Sequence, residues 1–162
     1  MNILKFQISL ENKRLNNLLI SKTNLNIPLI YESAYYVLIY NNEELIGISK
    51  NYFFNNHEDV YIFKDNIFTD ISQPLKEVKE IAINYTLWIK PEYRNLTIGK
   101  KLLNRTLIEF KHRAINKVYV VSPETNASFY SSVIQAETKI INSFQDNHID
   151  YNVLKFNLHN LT

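Results

Sequence analysis

Residues 80–110 read EIAINYTLWIKPEYRNLTIGKKLLNRTLIEF and join two strong patterns through a short polar turn. The run from Glu80 to Ile89 is rich in apolar, β-branched and aromatic side chains, which predicts a buried strand. Pro91 ends this strand because proline cannot donate to a central ladder. From Ile98 to Ile115, apolar side chains recur at spacings of three and four residues, which predicts an amphipathic helix. The stretch therefore predicts a strand, a turn and a helix.

The turn carries basic side chains where the helix would point its free amides. Lys100 and Lys101 fall in the first helical turn, where each cation opposes the macrodipole by about 0.3–1 kcal/mol unless an anion is bound there. With Arg94 and Arg105, four cations could surround a phosphate or pyrophosphate. Gly99, one of only two glycines in the chain, would let that phosphate approach the backbone. Solvated lysines and a tolerated helix glycine are the simpler interpretation.

The rest of the chain predicts a mixed α/β fold. Apolar alternation and turn residues predict strands at 3–9, 35–40, 45–54, 118–121, 139–144 and 151–156, and helices at 10–20 and 126–136. The polar residues 41–44 favour a hairpin, and residues 55–79 read as an insertion with short strands. One strand-helix-strand unit near the centre lies among strands that are mostly adjacent in hairpins.

Length and composition exclude several classes of protein. The chain has 162 residues, of which 46% are apolar, so we expect one domain over 1–162. A net charge of +2 is too mild to argue for a nucleic-acid partner, and anion binding must be local. The absence of cysteine excludes disulfides and a thiol nucleophile. No apolar run reaches the roughly 18–20 residues of a membrane span, and the first residues turn polar too early for a secretory signal, so we expect a cytoplasmic protein.

Two segments together resemble a known family. LWIKPEYRNLTIGKKLLNRTLIEF at 87–110, followed by VYVVSPETNASFY at 118–130, is similar to the GNAT superfamily of acyl-coenzyme A dependent N-acetyltransferases. The resemblance covers about residues 80–156, and the amino-terminal half agrees only in the order of its elements. It implies a central, mostly antiparallel sheet with splayed central strands, flanked by helices.

The resemblance also implies a coenzyme A site. In the family a Gln/Arg-x-x-Gly-x-Gly/Ala loop holds the pyrophosphate with its backbone amides. Arg94 and Gly99 match the first and last positions of this loop, while Thr97 replaces the middle glycine and Asn95 stands where a further glycine is common. Asn tolerates positive φ, and Thr97 can cap the helix. The expected cofactor-binding residues are Leu87, Trp88, Ile89, Arg94, Asn95, Leu96, Thr97, Ile98, Gly99, Lys100, Asn126 and Phe129.

A catalytic acid follows from the second segment. The family has an Asn-x-x-(x)-Phe-Tyr sequence whose tyrosine protonates the departing thiolate of coenzyme A, and Asn126, Phe129 and Tyr130 match it. A phenol with a pKa of about 10 can pass a proton to a thiolate whose thiol has a pKa of about 8.5. Tyr130 is therefore the expected general acid, although one tyrosine among eleven can also pack at a core edge. Ile134 and Gln135 replace the usual Gly-Phe.

No general base is assigned. Some relatives place a glutamate on the fourth strand, where this chain has Ile83. Glu77, Glu80 and the more distant Glu32 are candidates, but each is also an ordinary solvated carboxylate. The four histidines of the chain are scattered without the spacing of metal ligands, so no metal is expected.

The expected function is transfer of an acetyl group from acetyl-coenzyme A to a primary amine. A non-catalytic member that binds coenzyme A, or an interaction protein that keeps only the fold, are the alternatives. A longer acyl chain and an aminoacyl-tRNA acceptor stay open, and the weak charge argues against the second. Tyr61, Phe63 and Phe68 in the insertion could line an acceptor site or a homodimer surface, or fill the core.

Overall fold

The computed structural model describes residues 3–54, 63, 81–94, 97–134 and 138–158. These residues contain seven strands, β1 (Leu4–Leu10), β2 (Ala34–Asn41), β3 (Glu44–Phe53), β4 (Ile81–Ile89), β5 (Lys117–Pro123), β6 (Lys139–Asp146) and β7 (Ile149–Asn157). They also contain three α-helices, α1 (Lys13–Thr23), α2 (Ile98–His112) and α3 (Ala127–Ile134). Short 3₁₀ turns at Pro91–Tyr93 and Glu124–Asn126 precede α2 and α3.

The seven strands form one sheet in the order β1-β2-β3-β4-β5-β7-β6. Neighbouring strands are antiparallel except β4 and β5, which run parallel. Their pairing extends only from Ile81↔Lys117 to Asn84↔Val120, although both strands continue further. The two strands therefore diverge beyond Asn84. The predicted mixed α/β fold, with a mostly antiparallel sheet and splayed central strands, is confirmed.

Helices cover both faces of the sheet. On β2, Tyr36 and Leu38 belong to the core that contains Leu15 and Leu19 of α1. Tyr35, Val37 and Ile39 point to the opposite face and share a core with Leu102, Leu103 and Phe110 of α2. Because both faces are buried, the strand reads as a continuous apolar run and not as an alternating one.

The ends of the predicted elements differ from the observed ones for local reasons. The first helix begins at Lys13 and not at residue 10, because Leu10 pairs with Tyr35 in β1 and Asn12 caps the helix by accepting the Leu15 N–H at 2.8 Å. The hairpin at 41–44 is a two-residue turn, in which Asn42 has a φ of 56°. The helix predicted over 98–115 ends at His112, and Ala114 has a φ of 58°.

A buried ion pair holds the irregular link after α1, which is residues 24–33 between α1 and β2. The Lys50 ammonium lies 2.7 Å from Glu11 Oε2 and donates to Asn16 Oδ1 at 2.6 Å and to the Pro28 carbonyl at 3.0 Å. Glu11 also accepts from the Ile30 N–H at 2.9 Å. These contacts join β3, α1 and the link, and no sequence pattern predicted them.

The insertion at 55–79 lies outside the described residues except for Phe63. This side chain is 2% exposed and packs with Tyr52, Phe54 and Tyr85. For Phe63, the interpretation as a core residue is therefore the right one. Tyr61 and Phe68 are outside the described part of the chain.

Candidate active site

A cleft of about 600 Å³ opens where β4 and β5 diverge. One wall is the second half of β4, from Tyr85 to Ile89, and the other includes Val121 and Pro123 at the end of β5. The cleft reaches the start of α2 at Gly99 and is closed on another side by α3. Since none of the described strands pairs with β4 on the β5 side beyond Asn84, its main-chain groups along this edge are open to a ligand.

A β-bulge shapes the inner end of the cleft. Lys50 pairs with Thr86 while Asn51 pairs with Asn84, so Tyr85 is an extra residue in β4. The Asn84 amide holds the bulge by donating to Ser49 Oγ at 3.0 Å and to Asn51 Oδ1 at 2.9 Å. Thr106 of α2 also donates to Ser49 Oγ, at 2.9 Å. The bulge is thereby tied to the helix behind it.

The start of α2 forms the outer end of the cleft. Its first turn contains Lys100 and Lys101 and no acidic residue. Thr97 occupies the N-cap position with a φ of 64°, and its side chain makes no capping hydrogen bond. The prediction that Thr97 caps the helix with its side chain is therefore wrong. Consequently the first amides of α2, which have no intrahelical acceptor, also lack this side-chain partner.

Gly99 packs closely against Phe129. A Cβ at position 99 would lie 3.3 Å from Phe129 Cζ and 3.8 Å from Ile89 Cγ1. The φ of Gly99 is not positive, so the constraint at this position is the close packing against Phe129 and not the backbone conformation. The sequence suggested the close approach of a phosphate, or a glycine simply tolerated in a helix, and not this contact.

The four cations predicted around the phosphate do not all face the cleft. Arg94 is exposed and lines the cleft, and its Nε donates to the Ile89 carbonyl at 2.9 Å. Lys100 and Lys101 are exposed on the first turn of α2. Arg105 instead pairs with Glu109 one turn later, with 3.2 Å between Nη2 and Oε1. Of the four predicted cations, Arg94 therefore lines the cleft, Lys100 and Lys101 lie on the first turn of α2 without lining it, and Arg105 is held by Glu109.

Tyr130 lies in the wall of the cleft beside Phe129. The side chain is 3% exposed, and its ring centroid is 5.2 Å from that of Phe129 in a near-perpendicular arrangement. Burial raises the pKa of Tyr130 well above its usual value, so the phenol keeps its proton at neutral pH. A protonated phenol in this wall can donate to a ligand atom in the cleft.

Most of the predicted site residues come together here. The predicted residues that line the cleft are Leu87, Trp88, Ile89, Arg94, Gly99, Asn126, Phe129 and Tyr130. Thr97 and Lys100 lie next to it without lining it, and Ile98 is buried in the core at 5% exposure. Asn95 and Leu96 are outside the described residues.

The cleft also contains residues that the sequence analysis missed. Lys22 and Thr23 come from the end of α1, and Ile149 and Tyr151 come from β7. The Lys22 ammonium lies 5.7 Å from the centroid of the Trp88 ring. These residues are far from the recognised segments in sequence, and no motif marks them.

No carboxylate is found among the described residues that line the cleft. Ile83 is fully buried, and Glu32 is exposed away from the cleft. Glu77 and Glu80 are outside the described part of the chain. The described residues also contain no group of three or more metal-ligating side chains that could hold a metal ion. No helix in the same ranges is long and apolar enough to cross a membrane.

The sequence matches the acetyltransferase (GNAT) family over residues 13–132. The chain therefore belongs to this family, as the two segments around α2 and α3 indicated. No curated protein matches the sequence significantly.

Solved structures of N-acetyltransferases share the fold. Arabidopsis thaliana NAA60 in complex with acetyl-CoA aligns with a TM-score of 0.64 at 14% identity, over 97% of this chain and 99% of that one. The ribosomal-protein-S18-alanine N-acetyltransferase from Escherichia coli aligns with a TM-score of 0.61 at 9% identity, over 95% and 94%. The PaiA N-acetyltransferase from Thermoplasma acidophilum in complex with coenzyme A gives 0.51 at 18%, over 90% and 69%. At these identities the likeness concerns the fold alone.

Proposed function

We propose that the protein transfers an acetyl group from acetyl-coenzyme A to a primary amine. The observation that carries the proposal is the cleft between β4 and β5, which has a helix N-terminus with basic residues at one end and Tyr130 in its wall. Two neighbours of the same fold are described as complexes with coenzyme A or acetyl-CoA. Family membership supports acyl transfer as the type of reaction.

The pyrophosphate of the cofactor would bind at the start of α2. Free amides at a helix N-terminus attract anions, and the positive end of the helix dipole adds to this attraction. Arg94, Lys100 and Lys101 would contribute charge. The arm of coenzyme A would then extend along the open edge of β4, past Leu87, Trp88 and Ile89, so that the thioester reaches the neighbourhood of Tyr130.

The reaction would proceed by direct attack. The neutral amine nitrogen forms a bond to the thioester carbonyl carbon, and the carbon–sulfur bond of the tetrahedral intermediate then breaks. The Tyr130 phenol gives its proton to the departing sulfur, which leaves as the free thiol. The nitrogen loses one proton to water, because no carboxylate lines the described cleft, and the Tyr130 phenolate regains one proton from water. The products are an amide and coenzyme A.

Cofactor binding can be tested by thermal and chemical unfolding with acetyl-coenzyme A. A ligand at about 100 times its Kd should add roughly 2.7 kcal/mol to the free energy of unfolding. The double variant Arg94→Ala, Lys100→Ala should lose most of this gain. Lys13→Ala with Arg14→Ala removes two exposed cations from the start of α1 and should retain it. No stabilisation of the unaltered protein at saturating ligand would contradict the proposal.

Catalysis can be tested with Tyr130→Phe. We expect turnover to fall about 100-fold or more, because the departing sulfur loses its proton donor. The Kd for acetyl-coenzyme A should change little. Tyr35→Phe is the control, because the Tyr35 hydroxyl is buried without a hydrogen-bond partner in the described structure and does not line the cleft. Release of free thiol with a panel of amines is the measurement.

A non-catalytic coenzyme A-binding protein is the second candidate. The observation that favours it is the left-handed backbone of Thr97, where the family has a glycine. It would be identified by stabilisation with acetyl-coenzyme A, an unchanged biological effect of Tyr130→Phe and no thiol release with any amine. If acetyl-coenzyme A does not stabilise the unaltered protein at all, the protein keeps only the fold of the family.

A further inference from the structure

A second, smaller cavity of about 240 Å³ adjoins the cleft. The two share Tyr85, the residue of the β4 bulge. The cavity lies between the link after α1, at Asn26 and Pro28, and the end of β6, at Phe144 and Asp146. It is therefore placed at the inner end of the cleft, away from the basic start of α2.

Three aromatic residues, Phe63, Tyr85 and Phe144, line this cavity together with polar side chains. Phe63 and Tyr85 lie with ring centroids 5.6 Å apart, and Phe144 stacks on Tyr151 at 5.4 Å with an angle of 16° between the ring planes. The Tyr85 hydroxyl is held in place because it donates to the Asn26 carbonyl at 2.9 Å. The rings thus present apolar, electron-rich surfaces to an occupant.

Asp146 supplies a negative charge to the same cavity. One carboxylate oxygen accepts the Asn26 N–H at 2.8 Å, and the other has no hydrogen-bond partner or ion pair among the described residues. The side chain is half-buried. Burial first, and the charge of Asp146 second, raise the pKa values of Tyr85 and Tyr151. The field of the carboxylate therefore reaches the wall that the cavity shares with the cleft.

The described residues that line this cavity include no lysine or arginine. The cation that lines the adjoining cleft on the α1 side, Lys22, is placed over Trp88, three residues along β4 from Tyr85. The cavity is thus acidic and aromatic, whereas the far end of the cleft is basic. Aromatic faces together with a carboxylate are the surroundings that bind alkylammonium groups.

We propose that this cavity binds a second, protonated amine of the acceptor, so that the preferred substrates are aliphatic diamines. The inference rests on the proposed acetyl transfer and specifies its acceptor. One nitrogen of the diamine attacks the thioester as the neutral amine, while the other keeps its proton beside Asp146. The bound ammonium also favours loss of the proton from the attacking nitrogen, because two like charges in one molecule repel each other.

The test compares diamines with monoamines of the same length in the thiol-release assay. The probes are 1,3-diaminopropane, 1,4-diaminobutane and 1,5-diaminopentane, each against the n-alkylamine with the same number of carbons. We expect the kcat/KM of at least one diamine to exceed that of its matched monoamine tenfold or more. Asp146→Asn should lower this ratio at least tenfold, mainly through a higher KM for the diamine.

Two neighbouring substitutions serve as controls. Asp150→Asn removes the same charge from the β6–β7 hairpin at an exposed residue that does not line the cavity. Asn147→Gly removes the hydrogen bond of Asn147 to the Asn24 carbonyl without a change of charge. Neither should alter the ratio by more than about twofold, since neither removes charge from the cavity.

The outcomes separate the inference from the function on which it rests. Turnover of amines without a preference for any diamine, or a preference that survives Asp146→Asn, would overturn the inference and leave acetyl transfer intact. An equal loss of preference in Asp150→Asn would also overturn it, because the effect would then be one of overall charge. No thiol release with any amine would overturn the proposed function and the inference together.

Discussion

Gly47 and Gly99 both have a neighbouring side chain close to the position that a Cβ would take. At position 47, within β3, that Cβ would lie 2.7 Å from Ile39 Cγ2 and 2.8 Å from Ile89 Cδ1, both of which are in the core. At position 99 the neighbour is Phe129, which lines the cleft. The overlap is more severe at position 47 than at position 99, where the nearest atom is 3.3 Å away, so the same substitution should cost more stability at position 47.

Gly47→Ala should lower the free energy of unfolding by about 1–3 kcal/mol, because an extra methyl group overpacks a closed core. Urea denaturation measures this change. The affinity for acetyl-coenzyme A of the folded variant should fall as well, because Ile89, which the methyl group would displace, lines the cleft.

Gly99→Ala should change the free energy of unfolding by less than about 1 kcal/mol, because alanine favours the helix by about that amount and offsets the contact. The Phe129 ring would have to shift, and we expect the Kd for acetyl-coenzyme A to rise about tenfold. Calorimetric titration beside denaturation separates the two effects. If Gly99→Ala reduces stability as much as Gly47→Ala does, the Phe129 ring cannot shift, and the expected difference between the two positions is contradicted.

The protonation of Tyr130 has a consequence for the pH dependence of turnover. Because burial raises the pKa of Tyr130, the phenol stays protonated up to pH 10. Its ionisation therefore causes no loss of activity below that pH. The amine must be neutral, and its neutral fraction rises about tenfold per pH unit below a pKa near 10.4. With n-butylamine, kcat/KM should therefore climb from pH 7 to pH 9 without a plateau. A decline within this range would show that a different acid donates the proton.

At the scale of elements, the β4 bulge depends on a buried amide cluster between β3, β4 and α2. Asn84→Ala would remove the two hydrogen bonds that the Asn84 amide donates to Ser49 Oγ and Asn51 Oδ1, and each lost hydrogen bond costs about 0.5–1.5 kcal/mol. We expect this loss in urea denaturation, together with reduced turnover, since the bulge places Tyr85 in the cleft. Thr106→Val also removes a bond to Ser49 but leaves the bulge amide in place, and should keep turnover.

Elements with a regular pattern were predictable from sequence, and those fixed by tertiary contacts were not. The apolar run of β4 and the helical spacing of apolar residues in α2 are visible in the local sequence. The motifs beside them identified eight residues that line the cleft. Asp146, Lys22 and Tyr151 reach the two cavities only through the placement of β6, α1 and β7. The prediction of a side-chain cap at Thr97 was wrong, because the preference of threonine for N-cap positions does not indicate a left-handed backbone at that residue.

At the scale of the whole molecule, the Glu11–Lys50 pair connects α1 and its link to the sheet. Both side chains are fully buried. Lys50→Met should therefore cost about 3–5 kcal/mol, because it leaves the Glu11 charge buried without its partner. The double variant Glu11→Gln, Lys50→Met should recover part of this loss, and denaturation of the four proteins of the cycle measures the coupling. Equal stability of Lys50→Met and the double variant would contradict an energetic coupling between Glu11 and Lys50.

The same pair predicts how stability changes with pH. Burial lowers the pKa of Lys50 to about 8 against the opposing effect of Glu11, whereas an unfolded lysine titrates near pH 10.4. Between these values the unfolded chain binds more protons, so the free energy of unfolding should rise with pH. Above about pH 10, where unfolded tyrosines ionise, the raised pKa values of Tyr35 and Tyr36 reverse the sign. Denaturation at pH 7 to 11 should show a maximum, and the double variant should lack the rise.

The position of β7 between β5 and β6 has a consequence for the nascent chain. β7 leaves the ribosome after the other six strands, yet it supplies the antiparallel neighbour of both β5 and β6. Until Ile149–Asn157 has been translated, two strands expose open edges, which are the surfaces that aggregate and that chaperones cover. The Tyr151 wall of the cleft is also missing until then. Acquisition of ligand binding should thus coincide with the closing of the sheet, which would make the ligand a reporter of completed folding during synthesis.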